Sequence, residues 1–253
     1  MTEESRSVTA AMQVDWQRGE GPRRLREGDV DLWRFPLNRD VTPVLAANEE
    51  VRAARFALPQ HRRAFEARRT RLRRLLAAYL GCGPLEFEFT YSSDGRPELA
   101  GYGDQTDLRF SSSNTEEWLL IGVTLTSEIG VDIERTDVAR DYESLARECF
   151  SERELTVYGE LSADEKTLAF VKAWVQKEAF VKAIGSGITF PLRNVDVSID
   201  PGRPGSLNAV AGDRWDAANW SLTCLRPVDF HLAALAVSRP LVSISWFEGD
   251  ITV

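Results

Sequence analysis

Two carboxylates stand two apart in Ile129-Gly130-Val131-Asp132-Ile133-Glu134-Arg135, at the end of an apolar run with strand character. Residues two apart on a strand project from one face, so Asp132 and Glu134 present neighbouring oxygens. Such like charges repel unless a cation or a basic group lies between them, and hard oxygens at this spacing suit magnesium, which takes a few carboxylates together with substrate phosphate. About forty residues further on, Glu178 and Lys182 are four apart in a helical stretch, with Trp174 one turn earlier. They share a helix face, where a third carboxylate completes a metal set and the lysine meets a phosphate. Each feature also has an ordinary reading, a polar strand end and a surface Glu–Lys pair contributing about 0.2–0.5 kcal/mol. Against the ordinary reading, the four lysines of the chain, Lys166, Lys172, Lys177 and Lys182, all fall in this one segment, and elsewhere the strong bases are arginines.

Other segments carry weaker chemistry. Arg52, Arg55, Arg62, Arg63, Arg68, Arg69, Arg71, Arg73 and Arg74 are interrupted by a single acid, Glu66, among residues 52–74. Such a stretch is either a solvated helix face or a site for a highly charged ligand, because guanidinium meets phosphate oxygens in a two-point fork. Gly95-Arg96-Pro97 and Ser111-Ser112-Ser113-Asn114-Thr115 read by themselves as a turn and a polar loop. The pairs Gly101/Gly103 and Gly185/Gly187 lack the rest of a nucleotide-binding signature and read as turn and helix-cap glycines. Cys82, Cys149 and Cys224 are far apart, and His61 and His231 are the only histidines, so neither a disulfide framework nor a zinc site is expected. A net charge of −8 argues against general affinity for nucleic acid. The apolar run from His231 to Trp246 is broken by Arg239 and Pro240 and is too short to span a membrane. The acidic N-terminal residues do not resemble a signal peptide, which points to the cytoplasm.

These side chains need elements to hold them. Residues 1–28 read as a loose extension, and Val30–Leu37 as a half-buried strand stopped by proline. Apolar residues from Thr42 to Leu80 recur at three and four, giving two helices broken near Pro59 and ended by Gly81. Residues 85–91 and 108–111 read as strands with loops between, and Trp118–Thr126 with Ile129–Ile133 as a hairpin turning at Ser127-Glu128. Helices follow over Asp141–Cys149, from Ser151 with Glu154 completing a capping box, and over Ala163–Ala183. Four further strands, at 195–199, 208–211, 220–225 and 231–237, complete an α+β protein in two lobes, 29–115 and 116–253.

In this order and spacing, the segments from about Val30 to Val237 resemble the surfactin-type 4′-phosphopantetheinyl transferases. Two signatures carry the resemblance: G-V-D-I-E at Gly130–Glu134, and W-x-x-K-E-A-x-x-K-A-x-G at Trp174–Gly185. The upstream G-R-P and the arginine-rich helix support them. The resemblance implies two similar, pseudo-symmetric lobes, each an antiparallel sheet packed with a long helix, and coenzyme A bound in the cleft between them. It implies magnesium on Asp132, Glu134 and Glu178, and a phosphate on Lys182. Arg96 stands where the family has a lysine before the proline, here Pro97, beside the nucleotide. Arg52 and Arg63 are the nearest counterparts of the bases that hold the 3′-phosphate. The family's S-H-S becomes Ser113-Asn114-Thr115, and asparagine keeps a donor but no charge, a loss of about 1–3 kcal/mol of phosphate contact.

The implied activity moves the phosphopantetheine arm of coenzyme A to a serine of an apo acyl or peptidyl carrier protein. Asp132, Glu178 and Lys182 are its catalytic residues, and the partners are coenzyme A and the carrier, with no nucleic acid and no membrane. One chain holding both lobes is expected to act as a monomer. A catalytically weakened coenzyme A- or carrier-binding member is the alternative that Asn114 favours, and an unrelated magnesium phosphohydrolase is the reading that the second signature opposes. Phe150, Leu155, Tyr158 and Leu161 carry more apolar surface than one helix face readily buries, and they read either as core or, with Arg147 and Arg153, as a carrier-docking surface.

Overall fold

The computed structural model describes residues 11–19, 21–92, 95–100, 107–212, 214–238 and 241–249. In chain order its first elements are β1 (Met12–Gln13), β2 (Gln17–Gly19), β3 (Asp29–Pro36), α1 (Ala47–Ala54), α2 (Pro59–Leu80), β4 (Glu88–Tyr91), β5 (Pro97–Ala100), β6 (Leu108–Asn114) and β7 (Trp118–Leu125). There follow β8 (Ile129–Arg135), α3 (Tyr142–Cys149), α4 (Glu152–Glu160), α5 (Ala163–Ala183), β9 (Val195–Val197), β10 (Leu207–Val210), β11 (Ser221–Arg226), β12 (His231–Val237) and β13 (Ser243–Gly249). The glycines at 101 and 103 lie outside the described residues.

The chain divides into two compact units, residues 15–126 with 243–253, and residues 1–14 with 127–242. In the unit of residues 15–126, the sheet order is β2-β13-β3-β7-β6. Its core gathers Trp33 and Phe35 of β3, Leu72, Leu75 and Leu76 of α2, and Ile121 and Val123 of β7. Helix α2 starts with Pro59 at its first position and stops at Gly81, whose φ of 68° is the left-handed conformation that ends helices. In the other unit the order is β1-β11-β12-β8, and α5 packs on β8 and β12. Each unit thus joins one main sheet to one long helix and adds a two-stranded antiparallel sheet, β4–β5 in the first and β9–β10 in the second, in an α+β arrangement.

Four expectations change. The loose extension is partly ordered: β1 pairs with β11 and β2 with β13, so its described residues complete both sheets. Both pairings are parallel, as is that of β13 with β3, so the sheets are mixed rather than antiparallel. Strands from distant parts of a chain are free of the hairpin constraint that forces antiparallel neighbours. The anticipated β7–β8 hairpin does not form, because β7 lies between β3 and β6 while β8 pairs with β12. Consequently the division falls between Thr126 and Ser127 rather than at 115/116, where it would have parted β7 from its own sheet.

Helices α4 and α5 begin as the sequence implies. The Ser151 hydroxyl accepts from Glu154 N at 3.1 Å while Ser151 N donates to Glu154 Oε2 at 2.7 Å. At α5, Glu165 Oε2 accepts from the backbone and hydroxyl of Ser162, at 3.0 and 2.6 Å. Phe150 and Tyr158 are buried in the core of this unit, so these two are packing residues and not a docking surface, while Leu155 and Leu161 pack against that core only partly buried. Tyr158 Oη is buried without a hydrogen-bond partner. Tyr158→Phe should therefore raise the melting temperature by about 2–4 °C, the scale of one kcal/mol recovered from an unsatisfied hydroxyl. Calorimetry that finds a lower melting temperature would count against that account.

Candidate active site

Strand β8 and helix α5 build the site through one shared face. A Cβ on Gly130 would lie 1.8 Å from the backbone oxygen of Ala179 and 2.6 Å from the nitrogen of Ala183, so β8 at this point touches the helix backbone itself. Two residues along the same face, buried Asp132 accepts from Lys182 Nζ at 2.5 Å. A further two along, Glu134 lines a narrow crevice with Arg140, Tyr142, Phe170 and Trp174. The strand period of two thus places glycine, aspartate and glutamate against successive turns of α5. Glu178, one turn before Lys182 on that helix, shares an electrostatic field with Asp132, Lys182 and Glu134.

The charges are mutually unfavourable. Burial pushes the Glu178 carboxyl above its ordinary range, and the Asp132 charge pushes it further, with Lys182 opposing. Burial also raises Glu134, again with help from Asp132 and against Arg140 and Lys182. Carboxylate oxygens are hard donors of the kind that a divalent cation takes. Among the described residues no three acids, histidines or cysteines form a ready-made metal cage, and the positive charge beside Asp132 Oδ1 is the Lys182 ammonium. That ammonium keeps 31% of its side chain exposed, at the tip of a flexible four-carbon stem.

The remaining anticipated residues lie in the unit of residues 15–126. Arg96 donates from Nη2 to the Phe110 carbonyl at 2.9 Å and from its backbone to Ser92 Oγ at 3.0 Å, which holds the turn before Pro97 against β6. Ser113 and Asn114 close that strand, and the exposed Asn114 amide donates to the Thr115 carbonyl at 3.0 Å. Exposed Arg52 stacks over the Phe65 ring at 5.3 Å and, with Arg55, Glu49 and Tyr91, lines an open cavity of ≈ 580 Å³. Arg63 is exposed on the first turns of α2.

The arginine-rich stretch is not one solvated face. Arg69, Arg71 and Arg73 are buried, and Arg73 Nε meets Glu49 Oε2 at 2.6 Å while its Nη1 donates to the carbonyls of Pro84 and Phe87. Sequence reasoning missed what Lys177 does, although the second signature contains it. Its ammonium is fully buried against Glu154 Oε2 at 2.7 Å. Gly130 likewise escaped notice as more than a motif letter.

The family model described as the 4′-phosphopantetheinyl transferase superfamily matches residues 128–235, the span that holds Asp132, Glu134, Glu178 and Lys182. The 4′-phosphopantetheinyl transferase HetI of Nostoc sp. (strain PCC 7120) is 36% identical over 220 residues, 85% of this chain and 90% of the relative. The chain belongs to the 4′-phosphopantetheinyl transferase superfamily and is an enzyme of that class. A putative 4′-phosphopantetheinyl transferase of Synechocystis sp. (strain PCC 6803), slr0495, is 33% identical over 65% of this chain and 68% of its own length. A 4′-phosphopantetheinyl transferase of Bacillus subtilis is 28% identical over 51% of this chain and 54% of its own. Among the described residues no helix is long and apolar enough to cross a membrane.

Proposed function

We propose that this enzyme is of the surfactin type and uses magnesium to move the phosphopantetheine arm of coenzyme A onto a serine of an apo acyl or peptidyl carrier protein, releasing adenosine 3′,5′-bisphosphate. The observation that carries this reading is the contact of Lys182 with Asp132 at 2.5 Å, inside a group of three coupled carboxylates. Asp132, Glu134 and Glu178 would hold magnesium, whose charge would neutralise the coenzyme A pyrophosphate. Lys182, partly exposed and on a flexible stem, can exchange the Asp132 carboxylate for a phosphate oxygen when substrate arrives. The serine Oγ forms a bond to the β-phosphorus while the bridging oxygen leaves with the adenosine bisphosphate. The serine proton passes to Glu178 or to a water held beside it.

Arg96, Pro97, Ser113 and Asn114 are proposed to meet the nucleotide, with Arg52 and Arg63 toward its 3′-phosphate. We place the reaction in the cytoplasm and in a monomer, with no nucleic acid or membrane partner. The second reading, a weakened coenzyme A- or carrier-binding member, rests on the uncharged Asn114. One assay separates the two: with coenzyme A, magnesium and an apo-carrier, transfer adds about 340 Da to the carrier, whereas a binder adds nothing. Asn114→His should tighten coenzyme A binding below about pH 6.5, where imidazole carries charge. Titration calorimetry at pH 6 that finds equal or weaker affinity would remove the explanation for this departure from the family.

A further inference from the structure

Lys177 stands beside Glu178 in sequence, yet its side chain points away from the reacting groups into a buried polar knot. Its ammonium lies 2.7 Å from Glu154 Oε2 and donates to the carbonyls of Val195 at 2.5 Å, Cys149 at 3.0 Å and Leu192 at 3.0 Å. Glu154 also accepts from Ser151 N and, through Oε1 at 2.8 Å, from Val197 N. Strand β9 pairs with β10 alone, and the acid and the base together satisfy a carbonyl and an amide of β9 outside that ladder. One ion pair therefore joins the end of α3, the start of α4, the segment before β9, β9 itself and α5. Nearby on the helix, Lys172 Nζ donates to the carbonyls of Asp200 and Arg203 at 2.6 Å, and Gln176 bonds to Ser198 O and Ser206 N.

Cohesion alone gives no reason for such a knot, because well-packed apolar side chains often stabilise a core as much as a buried ion pair does. What an ammonium with directed acceptors adds is a fixed rotation and axial position of the helix. At 100° per residue, Glu178 is the next spoke of the wheel and Ala179, against β8, lies about 200° from Lys177. A 20° roll of α5 would carry the Glu178 carboxylate, about 6 Å from the axis, through about 2 Å. Misplacement on that scale is enough to cost about a hundredfold in rate.

We propose that Lys177 and Glu154 are a positioning pair, which locks the roll of α5 so that Glu178 and Lys182 face Asp132 in reactive register. The proposal rests on the phosphopantetheinyl-transfer reading of the site. The test is the double variant Lys177→Met/Glu154→Gln, which removes both charges and leaves no buried ion alone.

Its melting temperature should fall, because the carbonyls of Val195, Cys149 and Leu192 lose their donor, so its kinetics are compared with the parent's well below that temperature. Its kcat should fall at least about tenfold, with KM for coenzyme A and apo-carrier within about twofold. Its crystal structure should show the Glu178 carboxylate displaced by about 1 Å or more from its parental place. A stable double variant with parental kcat and an unmoved Glu178 overturns the proposal. Should the double variant not fold, Lys177→Gln/Glu154→Gln, which also removes both charges and keeps an amide donor near the carbonyls, carries the same expectation for kcat and for Glu178, and parental kcat with an unmoved Glu178 in that folded protein also overturns it. If the parent enzyme transfers nothing to any apo-carrier, the functional reading fails, and the position of Glu178 in the variant crystal still decides whether the pair positions it.

Discussion

Glu178→Gln should give a protein that withstands heat slightly better than its parent and transfers phosphopantetheine at least about a hundredfold more slowly, the scale of losing one electrostatic element of a transition state. The amide has nearly the volume of the carboxyl, so packing is preserved. What disappears is one of three negative charges that burial and mutual repulsion make costly, as the raised Glu178 and Glu134 carboxyls record. The sign with pH follows from linkage. A carboxyl raised on folding leaves the native state holding more protons than the unfolded chain, so stability falls as pH rises from the unfolded value, about 4.3, through the folded one. With chelator present, the variant's advantage in melting temperature should be largest near neutral pH and vanish toward about pH 4, where folded and unfolded carboxyls are both protonated. Added magnesium should raise the melting temperature of the parent by mass action and do little for the variant. A folded Glu178→Gln protein with near-parental turnover at limiting magnesium would falsify the assignment of Glu178 to the site.

Gly130→Ala should cost about 3 kcal/mol, at the upper end of what overpacking usually costs, and lower the melting temperature by about 6–12 °C. The cause is contact rather than backbone conformation. The new methyl would sit 1.8 Å from Ala179 O, 2.6 Å from Ala183 N and 2.9 Å from Ala179 C, all atoms of the helix backbone. A side chain in the way could rotate aside, but here α5 must move as a body, and it carries Glu178 and Lys182 with it. Activity should therefore fall in the fraction that remains folded. Because the clash is with backbone, Ala179→Gly should not rescue it, and thermal denaturation of the single and double variants tests both statements. A melting temperature within about 2 °C of the parent would mean that strand and helix are less tightly apposed than the structure has them.

The residues proposed to do the chemistry were legible because local rules suffice for them. A strand period of two puts Gly130, Asp132 and Glu134 on one face, and a helix period of 3.6 puts Glu178 one turn from Lys182, whatever the rest of the chain does. The capping box at Ser151, the helix break near Pro59 and the Gly81 stop were local in the same way, since each depends on groups within a few residues. Pairing was another matter. The apolar runs of β7 and β8 are compatible with a hairpin, and only competition among all strands sends one to β3 and β6 and the other to β12. The same long-range choice brings β1 to β11 and β13 to β3, completing each sheet with a strand from a distant part of the chain.

Burial was equally hidden, because a charge looks solvated in a sequence until its partners are known. Lys177 was one of four clustered lysines and Arg73 one of a run that reads as a solvated face or a ligand site, but Glu154 and Glu49, twenty-odd residues away in each case, make both interior charges. Tyr158 read equally as docking surface or as core, and the aromatic cluster of Phe150 and Phe170 makes it core. Sequence by itself determined which side chains could act together, since that depends on spacing along single elements. Only the tertiary structure decided what holds those elements in register, because the free energy of burying a charge or pairing a strand edge depends on groups that the chain brings together from far apart.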